Sequence, residues 1–299
     1  MPKEFREKTI IICSIVRNAE KGLIKNIPVI NQICSLFKDY RIVVYENNST
    51  DKTKFLLSQW KESLGKKAYF VMEDVDFERT IPKANSVACN PFFSRKRISK
   101  MAFLRNLYMN VIDQLGWTAD YLMVVDLDVT QLYFESILSS FNTKMEWDAV
   151  TANGYSMGPN LRRRYHDTYA LTECGDENTP QTEEKIRLLA NKYGTIEPGD
   201  EWVRVYSAFG GLAIYKFEAI KGLRYQVLDN NDNRVEVRCE HYSIYKQMAE
   251  RGYDKVFINP SMNLKYQDLN FRIVWNTVVR KVKSFFLQVL LVYCSIPWH

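Results

Sequence analysis

The first half of the chain alternates short apolar runs with segments of helical periodicity. Residues 9–16, 41–45 and 68–72 are apolar runs of the length and composition of buried strands. Apolar residues recur every three or four positions over residues 24–37, which predicts a helix, and turn formers before residue 52 supply caps for a second helix over 52–63. Strands and helices alternating at these intervals predict βαβ units and a parallel sheet.

The remaining elements follow from the same two periods. A helix is predicted over residues 101–115, and a strongly apolar strand follows at 121–129. The second half is less regular, and residues 174–200 read as a surface excursion around one short helix at 183–192. Its other predicted features are a strand at 149–152, a loop at 153–164, a glycine-containing bend before a strand at 203–216, a helix at 240–251 and a strand at 256–258.

Two carboxylates, Asp126 and Asp128, follow the most apolar of these strands. Residues two apart on an extended chain point the same way, and open α/β sheets bind ligands at the carboxyl ends of their strands. Neighbouring carboxylates repel unless a cation lies between them, and hard divalent ions prefer oxygen ligands. The pair therefore suggests a Mg²⁺ or Mn²⁺ site that could hold a nucleotide. The alternative is that one Asp caps the next helix and the other is merely exposed.

The composition indicates the cellular location of the protein more than it indicates the activity. The chain has 299 residues, a net charge of +6 and 46% hydrophobic residues, as expected of a globular protein with one large domain or two small ones. Its N-terminus lacks a signal segment, and no apolar stretch is long enough to cross a bilayer. We expect a cytoplasmic protein, either free or peripheral on a membrane. Six scattered cysteines are expected as free thiols: Cys13, Cys34, Cys89, Cys174, Cys239 and Cys294.

The C-terminal segment, residues 271–294, has an amphipathic helical pattern with a basic middle. Such a helix could lie on a membrane surface. Packing on the domain's own core or on a second subunit is the alternative.

Three motifs resemble those of glycosyltransferases of the GT-A fold, over about residues 8–260. Residues 45–51 are similar to the turn after the family's second strand, 104–106 to its Ala-Arg-Asn, and 125–128 to its Asp-x-Asp. Residues 165–170, 209–212 and 239–241 more narrowly resemble segments of the fungal capsule-associated mannosyltransferase-like group and of related viral and bacterial enzymes.

The resemblance implies an α/β fold of the nucleotide-diphospho-sugar transferase type, with a mainly parallel central sheet flanked by helices. Residues 1–270 would form this domain, with a donor half at about 8–130 and an acceptor half at about 131–270. Residues 271–299 would be a helical tail. The implied reaction is metal-dependent transfer of a sugar from a UDP- or GDP-linked donor to a glycan or lipid-linked acceptor.

The resemblance also assigns site residues. Asp126 and Asp128, with His241, would hold Mn²⁺ or Mg²⁺, and Gly210, Gly211 and Tyr165 would contact the acceptor. Donor contacts would come from Ser14, Val16, Arg17, Glu46, Asn48, Arg105, Asp126 and Leu127. Among them, Glu46 stands where the family has the acid that contacts the nucleotide base.

A transferase that inverts its sugar needs a base for the acceptor proton, whereas a retaining one does not. Glu240 is the preferred candidate and Asp167 the second, although Glu240 could equally cap its helix. The departing diphosphate needs a cation, which Arg105 would supply, with Arg17 or Arg95 as further candidates. The basic runs 95–97 and 162–164 are expected on solvated surfaces.

Two other classes remain open at this point. A sugar nucleotidyltransferase would be expected to have a glycine-rich loop after the first strand, and residues 14–18 contain no glycine. A non-catalytic carbohydrate- or partner-binding module would not need both Asp residues, Arg105 and Glu240 together. No nucleic-acid partner is expected, and the sequence gives no oligomeric state.

Overall fold

The computed structural model describes residues 3–77, 90–158 and 162–267, together with residues 275, 278 and 279. In these residues the chain forms one mixed sheet with helices on both faces. The strands are β1 Thr9–Val16, β2 Asp39–Asn47, β3 Ala68–Glu73, β4 Tyr121–Val125, β5 Ala149–Met157, β6 Arg163–Tyr165, β7 Val203–Arg204, β8 Leu212–Lys216 and β9 Val256–Lys265.

Seven α-helices lie in the described part of the chain. The long helix that follows residue 94 begins at a cap, since Ser94 Oγ accepts a hydrogen bond from the Arg97 N–H. The helices are α1 Glu20–Cys34, α2 Thr53–Leu64, α3 Arg95–Gln114, α4 Phe134–Leu138, α5 Glu183–Lys192, α6 Phe217–Ile220 and α7 Glu240–Glu250. Short 3₁₀ turns cover Lys3–Glu7, Gly65–Lys67, Pro91–Phe93 and Tyr193–Thr195.

The strand order is β3-β2-β1-β4-β8-β5-β9-β7, with β6 paired to β5. Strands β1 to β4 pair in parallel, so β1, β2 and β4 end at the same edge of the sheet. Strand β8 runs antiparallel between β4 and β5, and β9 pairs with β5 in parallel. The predicted α/β class with a mainly parallel sheet flanked by helices is confirmed.

The core has two layers because side chains alternate along each strand. In β1, Ile11 and Cys13 face the layer that contains α3, α5 and α7, whereas Ile10 and Ile12 face the layer that contains α1, α2 and α4. All four side chains are essentially inaccessible to solvent. This burial on both faces fixes the position of β1 and of its carboxyl end.

Several predicted boundaries differ from the observed ones. Strand β2 continues through Asn47, and residues 153–157, predicted as a loop, belong to β5 because they pair with β9 and β6. Strand β9 has ten residues, although only three were predicted. Ile24 is 58% exposed despite its place in the predicted pattern, because α1 turns Leu23, Ile30 and Ile33 inward.

Some predictions fall wholly or partly outside the described residues. They concern the helix at 271–294, part of the loop between β3 and α3, Cys89 and Cys294. Among the described residues, Cys13, Cys34 and Cys239 are buried free thiols and Cys174 is exposed. In the same residues, every helix is too short or too polar to cross a bilayer.

Candidate active site

A cleft of about 270 Å³ opens at the carboxyl ends of β1, β2 and β4. One wall is the face of α3, and the other walls come from the ends of these strands and from the residue after β9. The lining residues are Ile15, Val16, Arg17, Asn47, Arg97, Lys100, Met101, Leu104, Asp126, Asp128 and Tyr266. The predicted site residues Val16, Arg17, Asp126 and Asp128 therefore lie together in one cleft.

Asp126 is held on three sides. Its backbone N–H donates to the Gly211 carbonyl at 2.9 Å, its Oδ2 accepts a hydrogen bond from the Tyr266 hydroxyl at 2.9 Å, and its Oδ1 lies 3.6 Å from Arg105 Nη2. Burial raises the pKa of Asp126, against the opposite effects of Arg105 and Tyr266.

Asp128 differs from Asp126 in its exposure. Its side chain is open to the cleft, and no side chain among the described residues donates a hydrogen bond to it. Partial withdrawal from water between the cleft walls, and then the charge of Asp126, raise the pKa of Asp128 to about 7. Asp126 therefore has Arg105 as an ion-pair partner, whereas Asp128 has none among the described residues.

Three cations line the same cleft. Arg17 and Lys100 are close enough that Arg17 adds to the effect of burial in lowering the pKa of Lys100. Arg97 has its guanidinium 4.0 Å from the centre of the Phe92 ring, and its Nη1 donates to the Phe92 carbonyl at 3.1 Å. An anion entering this cleft would meet all three.

Arg97 and Lys100 were missed as site residues. The basic run at 95–97 was expected on a solvated surface, and Arg95 of that run does form an outer ion pair with Asp229. The helical period could have identified the other two, because positions 97, 100, 101 and 104 lie on one face of α3.

Arg105 lies behind the cleft, not in its wall. Its Nε donates to Glu240 Oε1 at 3.0 Å, and its guanidinium carbon is 5.0 Å from the centre of the Phe209 ring. Both charged side chains are buried. Arg105 thus contacts the preferred base candidate, Glu240, and lies close to Asp126, while neither Arg105 nor Glu240 is among the residues that line the cleft.

His241 does not join the Asp pair as a third metal ligand. Its ring is buried and stacks on Phe209 at 3.8 Å, and burial, followed by the Arg105 charge, lowers its pKa well below the usual range. Within the described residues, no three His, Cys, Asp or Glu side chains are grouped as a ready metal site.

Asp167, the second base candidate, is half-buried after β6. Burial raises its pKa to about 7, with further contributions from the negative charges of Asp126 and Glu240. Asp167 therefore lies close enough to Asp126 for the negative charge of Asp126 to raise the pKa of Asp167. In the described residues its carboxylate has no hydrogen-bond or ion-pair partner.

Glu46 and Asn47 end β2 and point to opposite faces of the sheet. Glu46 is 0% exposed, and its Oε1 accepts a hydrogen bond from the Ser49 N–H at 2.8 Å. Asn47 is 3% exposed, lines the cleft, and has an Oδ1 without a partner in the described residues. The residue expected to contact the base is therefore turned inward, and its neighbour faces the cleft.

The Asn48 side chain has a structural role in the backbone after β2 and β3. It adopts a φ of 54°, a left-handed conformation that Asn tolerates better than most residues. Its side-chain amide exchanges two hydrogen bonds of 3.3 Å with the backbone of Val75. The Asn48 side chain thus fixes the chain after β3 and does not line the cleft.

Gly210 and Gly211 allow close packing within the protein. A Cβ on Gly210 would lie 2.2 Å from the Ala152 carbonyl oxygen, and one on Gly211 would lie 2.9 Å from the Tyr266 ring. Their φ angles of 64° and 91° also favour glycine. The backbone at Gly210 therefore lies close to β5, and the backbone at Gly211 lies close to Tyr266.

Three other predicted contact residues lie away from the cleft surface. Tyr165 is 1% exposed and its hydroxyl donates to the Ala152 carbonyl. Leu127 is buried in the core, and its carbonyl accepts a hydrogen bond from Asn26 Nδ2. Ser14 is buried within β1. Tyr165 and Leu127 were selected by their places in motifs and Ser14 by its place near the end of β1, but all three side chains are buried.

The chain was compared with known proteins. A family model described as Cryptococcal mannosyltransferase 1 matches residues 9–247. No curated protein sequence matches.

Three solved structures illustrate the structural similarity. Mannosyltransferase PcManGT from Pyrobaculum calidifontis, solved with GDP-Man and Mn²⁺, is 14% identical with a TM-score of 0.46, over 89% of this chain and 58% of that one. TarS from S. aureus with UDP-GlcNAc is 12% identical with a TM-score of 0.42, over 88% and 59%. Glucosyl-3-phosphoglycerate synthase from M. tuberculosis is 12% identical with a TM-score of 0.39, over 88% and 73%. The chain spans less than two thirds of the first two.

Proposed function

Because the chain belongs to the glycosyltransferase family of cryptococcal mannosyltransferase 1, we propose that it transfers a sugar from a nucleoside diphosphate to an acceptor hydroxyl with the help of a divalent ion. One observation carries this proposal: a single cleft at the ends of parallel strands holds two carboxylates and three cations. A nucleoside diphosphate with a bound divalent ion is complementary to both sets of charges.

Asp126 and Asp128 fit a hard divalent ion. Their metal-ligating atoms would be carboxylate oxygens. Asp128 is open to the cleft, and no side chain among the described residues donates a hydrogen bond to it. Mg²⁺ commonly binds through one or two carboxylates together with water and substrate phosphates, so two protein ligands are sufficient. When bound, Mn²⁺ or Mg²⁺ would supply positive charge that stabilises the departing diphosphate.

Arg17, Arg97 and Lys100 would bind the diphosphate from the opposite side. The bond between the anomeric carbon and the diphosphate oxygen breaks, and a bond from that carbon to the acceptor oxygen forms. The diphosphate gains negative charge, which three nearby cations stabilise most strongly in the transition state. Arg105 would act indirectly, since it lies behind the cleft and steadies Asp126 and Glu240.

Asn47 would contact the nucleobase. It lies at the end of β2, in the cleft wall, and its buried Oδ1 has no partner among the described residues. An amide oxygen accepts a hydrogen bond from a ring N–H, which uracil and guanine both carry. Asn47 thus takes the role that the resemblance gave to Glu46.

Asp167 would take the acceptor proton in an inverting reaction. A base must reach the acceptor and must accept a proton near neutral pH. Neither Asp167 nor Glu240 lines the cleft. The Asp167 carboxylate is half-buried with a pKa of about 7, whereas the Glu240 carboxylate is buried and bound to Arg105. We therefore assign proton acceptance to Asp167 and ion pairing to Glu240.

The family description suggests which donor and acceptor to test first. GDP-mannose is the first donor to test, because the family description is that of a mannosyltransferase, and UDP-sugars are the second. A glycan or lipid-linked hydroxyl is the acceptor, which the basic segment at 271–294 would bring near from a membrane surface.

The test is a panel of GDP- and UDP-sugars, with and without Mn²⁺, in which nucleotide binding is followed by thermal shift and products by chromatography. We expect Mn²⁺-dependent binding and slow release of the nucleoside diphosphate with free sugar. Release of a nucleoside monophosphate, or of a triphosphate when pyrophosphate is added, would indicate a nucleotidyltransferase. Binding of a glycan without any nucleotide-sugar binding would indicate a non-catalytic module.

A further inference from the structure

Tyr266 is the residue that connects the end of β9 to the Asp pair. It follows Lys265, the last residue of β9, and lines the cleft. Its hydroxyl donates a hydrogen bond to Asp126 Oδ2 at 2.9 Å. No motif in the sequence singled it out.

The position of Tyr266 is fixed by its backbone. Its N–H donates to the Tyr155 carbonyl at 2.9 Å, and its carbonyl accepts a hydrogen bond from the Thr130 N–H at 3.2 Å. These bonds attach it both to β5 and to the loop that follows Asp128. The hydroxyl therefore approaches Asp126 from a rigid support.

The ring of Tyr266 is fixed as well. It stacks on the His166 ring at 3.7 Å and 16°, and the missing Cβ of Gly211 leaves room on another side. Burial lowers the pKa of His166 to about 4, so that ring is neutral at pH 7 and makes an uncharged stacking surface. Tyr266 is thus held at the backbone and at the ring.

We propose that Tyr266 is a positioning residue that orients Asp126 toward the divalent ion. The proposal rests on the proposed function, because it needs an ion at the Asp pair. Oδ2 of Asp126 accepts from Tyr266 and Oδ1 lies near Arg105, so the carboxylate cannot rotate freely. Hydrogen-bond partners of metal ligands fix the ligand's direction, and their removal typically weakens metal binding by about 10–100-fold.

The test compares Tyr266→Phe with Tyr193→Phe. Tyr193 provides a matched control, because its hydroxyl also donates to a carboxylate, Glu173 Oε1 at 2.8 Å, far along the chain from the cleft residues. Mn²⁺ binding to the full chain is measured by the loss of the free Mn²⁺ electron-spin-resonance signal, with GDP or UDP present. Melting curves without metal accompany each titration.

We expect Tyr266→Phe to bind Mn²⁺ at least about 10-fold more weakly than the parent and Tyr193→Phe to match the parent. Equal Mn²⁺ affinity in the parent and in Tyr266→Phe would overturn the positioning role alone. A Tyr266→Phe chain that no longer melts cooperatively would assign the hydroxyl to folding and also overturn it. A parent without Mn²⁺-dependent nucleotide binding would overturn the proposed function together with this inference.

Discussion

Arg105 and Glu240 form a buried ion pair, in which Arg105 Nε donates to Glu240 Oε1 at 3.0 Å and the two side chains are 3% and 4% exposed. A buried guanidinium needs a negative partner, because an uncompensated charge inside a protein is costly. The carboxylate that the sequence suggested as a base is therefore committed to Arg105.

Replacing Glu240 by Gln should reduce stability. Removing Glu240 leaves the buried Arg105 charge with only the longer contact to Asp126, and we expect the free energy of unfolding to fall by about 3 kcal/mol. Urea denaturation measures this. Glu146→Gln is the control, since it breaks an exposed ion pair with Lys255 and should leave the unfolding midpoint where it is. A Glu240→Gln protein of parental stability that has lost transfer by 10²-fold or more would instead support Glu240 as the base.

Replacing Asp128 by Asn should remove metal-dependent transfer without unfolding the protein. Asp128 is the exposed member of the pair, and its loss also removes repulsion with Asp126, so the metal-free melting temperature should not fall. We expect the half-saturating Mn²⁺ concentration to rise by at least about 10²-fold. Asp126→Asn is the comparison, because it also disturbs contacts with Tyr266 and Arg105 and should lower the melting temperature. Transfer by Asp128→Asn at parental Mn²⁺ concentrations would contradict the assignment.

The pKa of Asp167 predicts how stability depends on pH. Its folded-state pKa is about 7 and the ordinary value is 3.8, so the folded chain holds a proton that the unfolded chain releases. The resulting stability is complete below pH 3.8 and is lost as the pH rises through 7. The melting temperature of the metal-free protein should therefore fall between pH 5 and pH 8 by an amount that Asp167→Asn reduces. Asp113→Asn, at a surface ion pair with Arg224, should keep the parental profile.

Replacing Asn47 by Ala should weaken donor binding. Loss of one hydrogen bond to the base costs about 1 kcal/mol, which corresponds to a rise of about fivefold in donor KM with little change in kcat. Steady-state kinetics with GDP-mannose and UDP-sugars would measure it. Asn48→Gly is the neighbouring control: glycine permits the positive φ, and loss of the amide bonds to Val75 should lower stability and leave KM unchanged. A raised donor KM in Asn48→Gly together with an unchanged KM in Asn47→Ala would assign the donor contact to Asn48.

The basic C-terminal segment should bind anionic membranes. Arg280, Lys281 and Lys283 lie in its middle, within a sequence of apolar and aromatic residues. We expect the full chain to float with vesicles that contain phosphatidylserine, and a variant with these three residues changed to Glu to remain at the bottom of the gradient. A parent chain that does not float at low salt would end the membrane proposal.

Local sequence patterns predicted most of the strands and helices of residues 8–130, because these elements are defined by local periodicity. Strand β9 was predicted to cover only residues 256–258, and Pro260 follows this run. In the structure, the pairing of β5 and β9 shifts register between Ala152 and Asn153, and this irregularity accommodates Pro260. Because this register shift depends on the partner strand, the local sequence of β9 does not predict it.

The site was predictable only where the motif also fixed the direction of the side chain. Asp126 and Asp128 follow the end of β4, and both reach the cleft. For Glu46, a single position along β2 decides between the core and the cleft, and the motif did not specify which. Tyr266 reaches Asp126 across a separation of 140 residues, so only the folded sheet brings them together.

Strand β9 also couples the candidate metal site to the completion of the sheet. It lies between β5 and β7, and its pairing of Val256 with Ala149 joins segments more than a hundred positions apart, which is the kind of contact that slows folding. Until β9 inserts, the Asp pair lacks Tyr266. Because Tyr266 reaches Asp126 only where β9 has paired with β5, tight Mn²⁺ binding would report that the sheet is complete.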